Sequence, residues 1–173
     1  CRNYRMRKDR LMRGADLVER SLDEAGVRTI FTLSGNQIMP IFDACIDVDI
    51  RLVHTRHEAA AVYMADAWAQ ITGEVGVALI TAAPGFANGL SPLFSARLAE
   101  SPVVLLSGDS PVSQDGLGAF QELSQVEIAA PLTKAAFRSS STRRKPRVKR
   151  RCGTRPTRWS PDWWWPQHWW WDW

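Results

Sequence analysis

Short apolar runs alternate with segments of helical periodicity from Arg13 to about Arg138. The apolar runs have the length of strands, and the segments between them repeat their apolar positions with the period of a helix. The predicted strands are 28–33, 50–54, 76–81 and 102–108. The predicted helices cover 15–25, 38–45, 57–73 and 84–100. Near-continuous apolar strands separated by helices indicate a parallel sheet that is covered on both faces. The pattern therefore predicts an α/β fold with a doubly wound, mostly parallel sheet and helices on both faces.

Glycines mark the expected ends of two of these helices. The apolar face of the first helix consists of Ala15, Val18, Leu22 and Ala25. Gly26 follows its last turn, and Gly73 follows the alanine-rich helix over 57–73. A glycine just beyond the last turn is a common way to end a helix, because it accepts the left-handed conformation required there.

The periodic pattern ends near Ser139, and the composition changes with it. Residues 1–11 carry a net charge of +4, residues 12–138 carry −7 and residues 139–173 carry +7. Eight of the nine tryptophans lie beyond Ser139, where the sequence has no period of two or of 3.6. We therefore expect a disordered basic extension over 1–11, one domain over 12–138, and a non-globular Arg/Trp-rich tail over 139–173.

Two interpretations of the tail are open. Arg, Pro, Trp, Ser, Gly and Thr together are typical of GC-rich DNA read in a shifted frame, so we favour a departure from the native frame near residues 139–142. The alternative is a basic aromatic arm that stacks on nucleic acid. A stacking platform needs a scaffold and the domain itself is acidic, so we expect no nucleic-acid partner.

Composition also argues against several other classes of protein. The cysteines are Cys1, Cys45 and Cys152, and they show neither the pairing of a disulfide framework nor the spacing of a zinc site. This pattern favours a reducing, cytoplasmic compartment. No apolar run reaches the roughly 18 residues of a membrane span, so no membrane partner is expected. No metal site is predicted within the chain.

The segment Arg56-His57-Glu58 lies where a predicted strand passes into the alanine-rich helix. A carboxylate in the first turn of a helix is favoured by the helix dipole, so Glu58 has a simple structural interpretation. The alternative is a catalytic carboxyl at the end of a strand. The choice between the two depends on the other segments that accompany Glu58.

Those segments resemble the thiamine-diphosphate enzyme family that includes acetolactate synthase, oxalyl-CoA decarboxylase and 2-hydroxyacyl-CoA lyase. The resemblance covers about 12–138 and rests on five segments in the family's order: GADLVERSLDEAGVRTIFTLSGNQIMPIFDA, RHEAAAVYMADAWAQITGEVGVALIT, APGFANGL, SPVVLLSGD and GAFQELSQVE. Each segment alone is weak, but five in series are specific for the N-terminal, pyrimidine-binding domain. The resemblance implies the thiamine-diphosphate pyrimidine-domain type of doubly wound fold.

The resemblance implies that Glu58 activates the cofactor. Its carboxyl would bond N1′ of the aminopyrimidine ring and favour the imino tautomer, which takes the proton from C2 of the thiazolium. The activated cofactor then attacks the carbonyl of a small 2-keto acid or acyl-CoA substrate and acts as the electron sink. Aspartate would be one methylene short at this position, and glutamine could not exchange the proton.

The resemblance implies further cofactor-binding positions. Phe120 and Gln121 match positions that border the reacting end of the cofactor, where a glutamine amide can donate to a carbonyl. Alternatively, Phe120 packs on the sheet as an ordinary loop residue. Gly35 matches a glycine whose backbone passes close to the pyrimidine. Ser34 and Asn36 stand where the family commonly has proline and glycine, so the shape of this loop differs from the usual pattern.

Pro84, Gly85 and Asn88 match the family's Pro-Gly-x-x-Asn turn. Ala83 stands where a glycine commonly precedes that proline. The resemblance implies that Pro84 and Asn88 border the cofactor as turn and pocket-wall residues, without a catalytic part.

The resemblance also implies partners that lie outside this chain. The family binds the diphosphate and Mg²⁺ through a second domain marked by Gly-Asp-Gly and paired asparagines. Here Gly108-Asp109-Ser110 matches a strand end of the pyrimidine domain instead. FAD is expected of true acetolactate synthases, through a domain that this chain lacks. The active site forms between subunits, so a homo-oligomer, either a dimer or a tetramer, is expected through the pyrimidine domain.

These observations lead to a truncated, acetolactate synthase-like enzyme as the preferred functional hypothesis. Its full-length form would decarboxylate a 2-keto acid and ligate the activated aldehyde, whereas this chain alone would be inactive. A fragment of a 2-hydroxyacyl-CoA lyase or oxalyl-CoA decarboxylase is the alternative within the family. A non-catalytic domain that only associates with partner subunits is the alternative outside it.

Overall fold

The computed structural model describes residues 13–46 and 48–139, and the backbone alone of 147–150. The α-helices are α1 Gly14–Glu24, α2 Met39–Cys45, α3 Glu58–Thr72, α4 Pro84–Asn88, α5 Leu90–Leu98 and α6 Gln125–Ala129. The strands are β1 Thr29–Thr32, β2 Arg51–His54, β3 Gly76–Ile80, β4 Val103–Ser107, β5 Ala135–Arg138 and β6 Arg147–Arg150. Short 3-10 turns cover Asn36–Ile38, Val112–Gln114 and Ala130–Leu132.

The first four strands form one parallel sheet in the order β2-β1-β3-β4. Successive side chains of a strand point to opposite faces, and β3 shows this clearly. Val77 and Leu79 lie in one apolar cluster with parts of α1 and α2, whereas Ala78 and Ile80 lie in another with α3 and α5. Each face of the sheet is therefore covered by helices, and the predicted α/β fold is confirmed.

The two glycines predicted to end helices do so. Gly26 follows α1 with φ 82°, and Gly73 caps α3 with φ 74°. The backbone N–H of Gly73 donates to the carbonyl of Ala69 at 3.0 Å, which satisfies one of the carbonyls left open at the helix end. Both helix ends thus follow from local sequence alone.

The predicted helix over 84–100 is interrupted, and the structure forms α4 and α5 in its place. The backbone N–H of Gly89 donates to the carbonyl of Phe86 at 3.0 Å, a spacing of three residues that tightens and ends α4. A Cβ on Gly89 would lie 2.7 Å from Cδ1 of Ile80. The break therefore lies where the chain passes directly over β3, a contact that the apolar pattern does not reveal.

The structure also contains a pair of strands that the sequence did not predict. β5 and β6 pair antiparallel, from Ala135 opposite Arg150 to Arg138 opposite Arg147. Strand pairing uses backbone groups, so it can form without an alternation of apolar and polar side chains. The predictions for 1–11 and for the remainder of 139–173 lie outside the described residues. Among the residues that are described, no helix combines the length and apolar character needed to cross a bilayer.

Candidate functional site

Every residue selected from the sequence lies beyond the carboxyl end of one of the parallel strands. The positions are Gly35 after β1, Glu58 after β2, Pro84 and Asn88 after β3, and Phe120 and Gln121 after β4. The chain passes from β1 outward to β2 and then returns to the opposite side of β1 as β3. In open α/β sheets, ligands bind in the crevice outside the carboxyl ends of the strands where the winding reverses. The site therefore lies at the boundary between β1 and β3.

Glu58 is the first residue of α3, and a hydrogen bond holds its carboxylate. His57 caps the helix, and its Nδ1 accepts from the backbone N–H of Ala59 at 3.1 Å. Asn88 Nδ2 donates to Oε2 of Glu58 at 2.9 Å. The helix N-terminus favours a negative charge here. The structure thus places in one hydrogen bond two residues, Glu58 and Asn88, that were selected separately from the sequence. The Glu58 side chain is half-buried.

Gly85 lets the backbone of α4 approach the Glu58 carboxylate. A Cβ on Gly85 would lie 3.1 Å from Glu58 Oε1 and 2.6 Å from Thr81 Cγ2. Any side chain at this position would therefore displace Thr81 or the carboxylate. Glu58 and Thr81 consequently flank the same point of the α4 backbone. Pro84, the first residue of α4, is exposed and starts the helix with its fixed φ.

Ala83 explains why a glycine commonly precedes this proline in the family. Its backbone has φ 47° and ψ −99°, outside the regions that residues with a Cβ normally occupy. Glycine adopts such a conformation without steric cost, whereas alanine does so under strain. The alanine at this position therefore holds the turn in a conformation that costs conformational energy.

Gly35 is required by a close approach of a different kind. Its φ of −164° is extended, so its conformation needs no glycine. A Cβ on Gly35 would, however, lie 2.4 Å from Cβ of Thr81. The loop after β1 is thereby pressed against the end of β3, on the crevice side of the sheet. The expected proximity of Gly35 to a pyrimidine ring stays a prediction.

A line of polar side chains connects the loops that follow β1, β3 and β4. Thr81 Oγ1 donates to Oε1 of Gln37 at 2.7 Å. Gln37 Nε2 in turn donates to Oε1 of Gln121 at 2.5 Å. Gln121 is itself held with φ 61°, a left-handed conformation that is unusual for a residue with a side chain. Gln121 is thus connected to Thr81, which lies beside Gly85 and Glu58.

Glu122 holds the loop that carries Phe120 and Gln121. Its carboxylate accepts from the backbone N–H of Gly116 at 2.5 Å, of Gly118 at 2.9 Å and of Ala119 at 3.1 Å. These bonds, that of Gly116 above all, lower the pKa of Glu122 below its ordinary value. Phe120 is 82% exposed, so the alternative in which it packs on the sheet is wrong for this chain.

Asp109, in the triplet Gly108-Asp109-Ser110, is engaged in the structure of the domain. One carboxylate oxygen pairs with Arg138 Nε at 2.7 Å, and the other accepts from the backbone N–H of Ser110 at 2.8 Å. No group of three or more His, Cys, Asp or Glu side chains within the described ranges could hold a metal ion. Asp109 therefore fastens β5 to the end of β4.

Sequence reasoning missed Gln37, Thr81 and Glu122. Thr81 had a weak signal, because it directly follows an apolar strand and precedes a turn that contains Pro84. Gln37 and Glu122 had none, since their partners lie in loops distant in sequence or are backbone groups of an irregular loop. Their importance becomes visible only when the loops are brought together at one edge of the sheet.

Comparison with known proteins gives a consistent result. The family described as "Thiamine pyrophosphate enzyme, N-terminal TPP binding domain" matches residues 12–128. A "Probable acetolactate synthase" of Mycobacterium bovis is 39% identical over 130 residues, which are 75% of this chain and 24% of the relative. The "2-hydroxyacyl-CoA lyase 2" of Danio rerio is 44% identical over 121 residues, covering 70% and 20%. The "Acetolactate synthase isozyme 3 large subunit" of Escherichia coli is 41% identical over 139 residues, covering 80% and 24%.

The matched region spans a quarter or less of the length of these relatives. The family match over 12–128 includes the loops that carry the selected residues Gly35, Glu58, Pro84, Asn88 and Phe120. The family match and the parallel sheet with its site at the carboxyl edge agree, and the expected resemblance is confirmed. The chain belongs to the thiamine pyrophosphate enzyme family, and its residues 12–128 form the N-terminal TPP binding domain of that family.

Proposed function

We propose that this domain supplies the pyrimidine-binding half of an acetolactate synthase-like active site, with Glu58 as the carboxyl that activates the cofactor. The observation that carries the proposal is the Glu58 carboxylate, which lies at the switch point of the sheet with Asn88 on one oxygen and the bare backbone of Gly85 beside the other. The complete enzyme would decarboxylate a 2-keto acid and ligate the activated aldehyde.

The residues at the site fit the aminopyrimidine end of thiamine diphosphate. Gly35 and Gly85 keep the backbone free of side chains where the loops converge, and Glu58 offers a half-buried carboxyl that can exchange a proton with a ring nitrogen. Asn88 orients that carboxyl by donating to Oε2. When bound, the cofactor supplies the electron sink for the reaction. Phe120, which is exposed on its loop, is proposed to border the reacting end together with Gln121.

A 2-hydroxyacyl-CoA lyase is the second candidate. The relative from Danio rerio that carries this name is 44% identical over the matched residues, compared with 39% for the acetolactate synthase from Mycobacterium bovis. The two identities are too close to separate the reactions, and both candidates require the same role for Glu58. An acyl-CoA substrate would then take the place of the 2-keto acid.

The proposal includes groups and partners beyond the described residues. Mg²⁺ and the diphosphate would be held by a second domain, and FAD would be expected in an acetolactate synthase of full length. A homo-oligomer is proposed because two helices that pack together expose large apolar side chains: Tyr63 and Met64 on α3, and Phe94 and Leu98 on α5. A cytoplasmic location is proposed because the three cysteines show neither the pairing of a disulfide framework nor the spacing of a zinc site.

The first test is binding of thiamine diphosphate to this chain, followed by NMR of the backbone and side-chain amides. We expect chemical-shift changes at Gly85 and at the Asn88 side chain. Glu58→Gln should weaken binding by about tenfold or more, because a charged acceptor contributes roughly 1.5–3 kcal/mol to a hydrogen bond. Glu74→Gln is the matched control, since Glu74 is an exposed carboxylate at the opposite end of α3. Equal binding by Glu58→Gln and the unaltered chain, or no shift at these residues, would contradict the proposal.

A further inference from the structure

Gln37 joins three separate loops through its side chain. Its amide accepts from Thr81 at the end of β3 and donates to Gln121 in the loop after β4. Gly108, at the end of β4, packs directly on its stem, where a Cβ of Gly108 would lie 2.6 Å from Cβ of Gln37. Gln37 is therefore held along its whole length, and its terminal amide can do little but connect its two partners.

In the structure these three groups are connected in one direction. Thr81 donates to the carbonyl oxygen of Gln37, so the Gln37 nitrogen must face Gln121. An amide nitrogen can only donate, and Gln121 must therefore present Oε1 to Gln37. The Gln121 nitrogen Nε2 is thereby turned away from Gln37 with both its protons. Within 13–46 and 48–139 the structure records no acceptor for it.

Different residues control the position of Gln121 and the orientation of its side-chain amide. Glu122 fixes the backbone of the loop by accepting from three N–H groups, so it determines where Gln121 lies. Gln37 hydrogen-bonds the terminal amide of Gln121, so it determines which amide atom is available. The opposite end of the line, Thr81, lies beside Gly85 together with Oε1 of Glu58.

We propose that Gln37 is a positioning residue that sets Gln121 as a hydrogen-bond donor, through Nε2, to a carbonyl or carboxylate oxygen of the bound substrate. The inference rests on the proposed function for the identity of that acceptor, but the orientation itself concerns this chain alone. The terminal amide of Gln121 has two atoms of nearly equal size, Oε1 and Nε2. The hydrogen bonds from Thr81 through Gln37 to Gln121 determine that Nε2 is the atom left available as a donor.

Substitution of Gln37 by a residue whose side chain can only accept hydrogen bonds should reverse the orientation of the Gln121 amide. In Gln37→Glu the new carboxylate accepts from Thr81 and from Gln121 Nε2, so the Gln121 amide must turn over. Gln37→Met keeps a similar length and removes both hydrogen bonds. Thr81→Val removes the hydroxyl while retaining the branched shape, and Thr81→Ser keeps the hydroxyl as its matched control. All variants are made in the full 173-residue chain.

The measurement is hydrogen exchange of the side-chain amide protons of Gln37 and Gln121 by nitrogen-15 NMR, with signals assigned by their loss in Gln37→Met and Gln121→Glu. In the unaltered chain we expect the Gln37 protons to be protected and the Gln121 protons to exchange as a free amide. In Gln37→Glu the Gln121 protons should exchange about fivefold to tenfold more slowly, as expected when a hydrogen bond forms.

The inference is overturned if Gln121 is already protected in the unaltered chain, or if Gln37→Glu leaves its exchange unchanged while the backbone spectrum remains native. If Gln37→Glu fails to fold, the comparison of Thr81→Val with Thr81→Ser tests the inference instead. Loss of Gln37 protection in Thr81→Val but not in Thr81→Ser supports the inference, and equal protection in both contradicts it. The measurement needs no cofactor, so failure of thiamine diphosphate to bind would remove the proposed function without changing this result.

Discussion

The strained turn at Ala83 leads to a prediction about a single residue. Its φ of 47° with ψ −99° costs about 1–3 kcal/mol for a residue with a Cβ. Glycine relieves that strain and loses roughly 0.5–1 kcal/mol through the greater entropy of the unfolded chain. We therefore expect Ala83→Gly to raise the free energy of unfolding by about 1 kcal/mol, measured by urea denaturation followed by circular dichroism.

Ala87→Gly is the matched control for this substitution. Ala87 is an exposed residue within α4 and has no positive φ, so the same exchange there should lower the free energy of unfolding by about 1 kcal/mol. Opposite signs for the two variants would identify backbone strain as the cause. A similar loss of stability in both variants would show that Ala83 is not strained.

The site residues show how far sequence reasoning reaches at this scale. Glu58 and Asn88 could be selected because each matches a family motif, but their hydrogen bond could not be predicted. The bond depends on how α4 begins after Ala83 and on the missing side chain of Gly85, both of which are properties of the assembled turn. Gln37 was not selected at all, because its partners lie in loops that only the parallel sheet brings together.

Glu122 closes the loop over 116–122, and the protonation of its carboxylate leads to a prediction about this element. Its carboxylate accepts from three backbone N–H groups, and the pKa of Glu122 is lowered as a result. A group whose pKa is lower in the folded state stabilises that state above its ordinary value, about 4.3 for a glutamate, and the contribution is lost as pH falls through the folded pKa. We therefore expect the loop over 116–122 to loosen in acid.

The amide chemical shifts of Gly116, Gly118 and Ala119 measure this loosening directly. They should move together in one titration, with a midpoint below the ordinary pKa of a glutamate. Glu122→Gln, at neutral pH, should already show the acid positions of these shifts, because a neutral amide accepts more weakly than a carboxylate. Three shifts that titrate separately, or that stay constant from pH 7 to pH 3, would show that Glu122 does not close the loop.

Among the elements, those with a local cause were predicted and those with a tertiary cause were not. α1 and α3 end at glycines that the sequence marks, and β3 is an apolar run that begins at Gly76. The division of the predicted helix over 84–100 into α4 and α5 arises from contact between Gly89 and Ile80. The β5–β6 pair arises from backbone pairing between segments that show no alternation. Hydrophobic periodicity reports neither kind of contact.

The apolar surface of α3 and α5 leads to a prediction for the whole molecule. Tyr63 is 47% exposed and Phe94 is 46% exposed, and the two helices that carry them pack together. An exposed apolar area on adjacent helices favours association, and we expect the chain to self-associate through it. The double variant Tyr63→Glu, Phe94→Glu should shift the sedimentation equilibrium strongly towards the monomer.

Ile46→Glu is the matched control, because Ile46 is 79% exposed and follows α2, which covers the opposite face of the sheet. It adds a charge to an equally apolar position outside the proposed interface. An equal effect of the control would mean that association depends on apolar surface in general. A monomeric unaltered chain would remove the oligomer from the proposed function.

The whole molecule should also be unable to turn over substrate by itself. Under the proposed function, the diphosphate and Mg²⁺ must be held while Glu58 acts on the pyrimidine. Within the described part of the chain, no group of three or more His, Cys, Asp or Glu side chains could hold a metal ion. Asp109, in the triplet that most nearly resembles the family's metal motif, has both oxygens engaged by Arg138 and Ser110. We expect no acetolactate from the purified chain with pyruvate, thiamine diphosphate and Mg²⁺, in an assay in which the Escherichia coli acetolactate synthase is active. Turnover that is abolished by Glu58→Gln would mean that this chain binds the diphosphate itself. The proposal that a second domain binds the diphosphate would then be wrong for this protein.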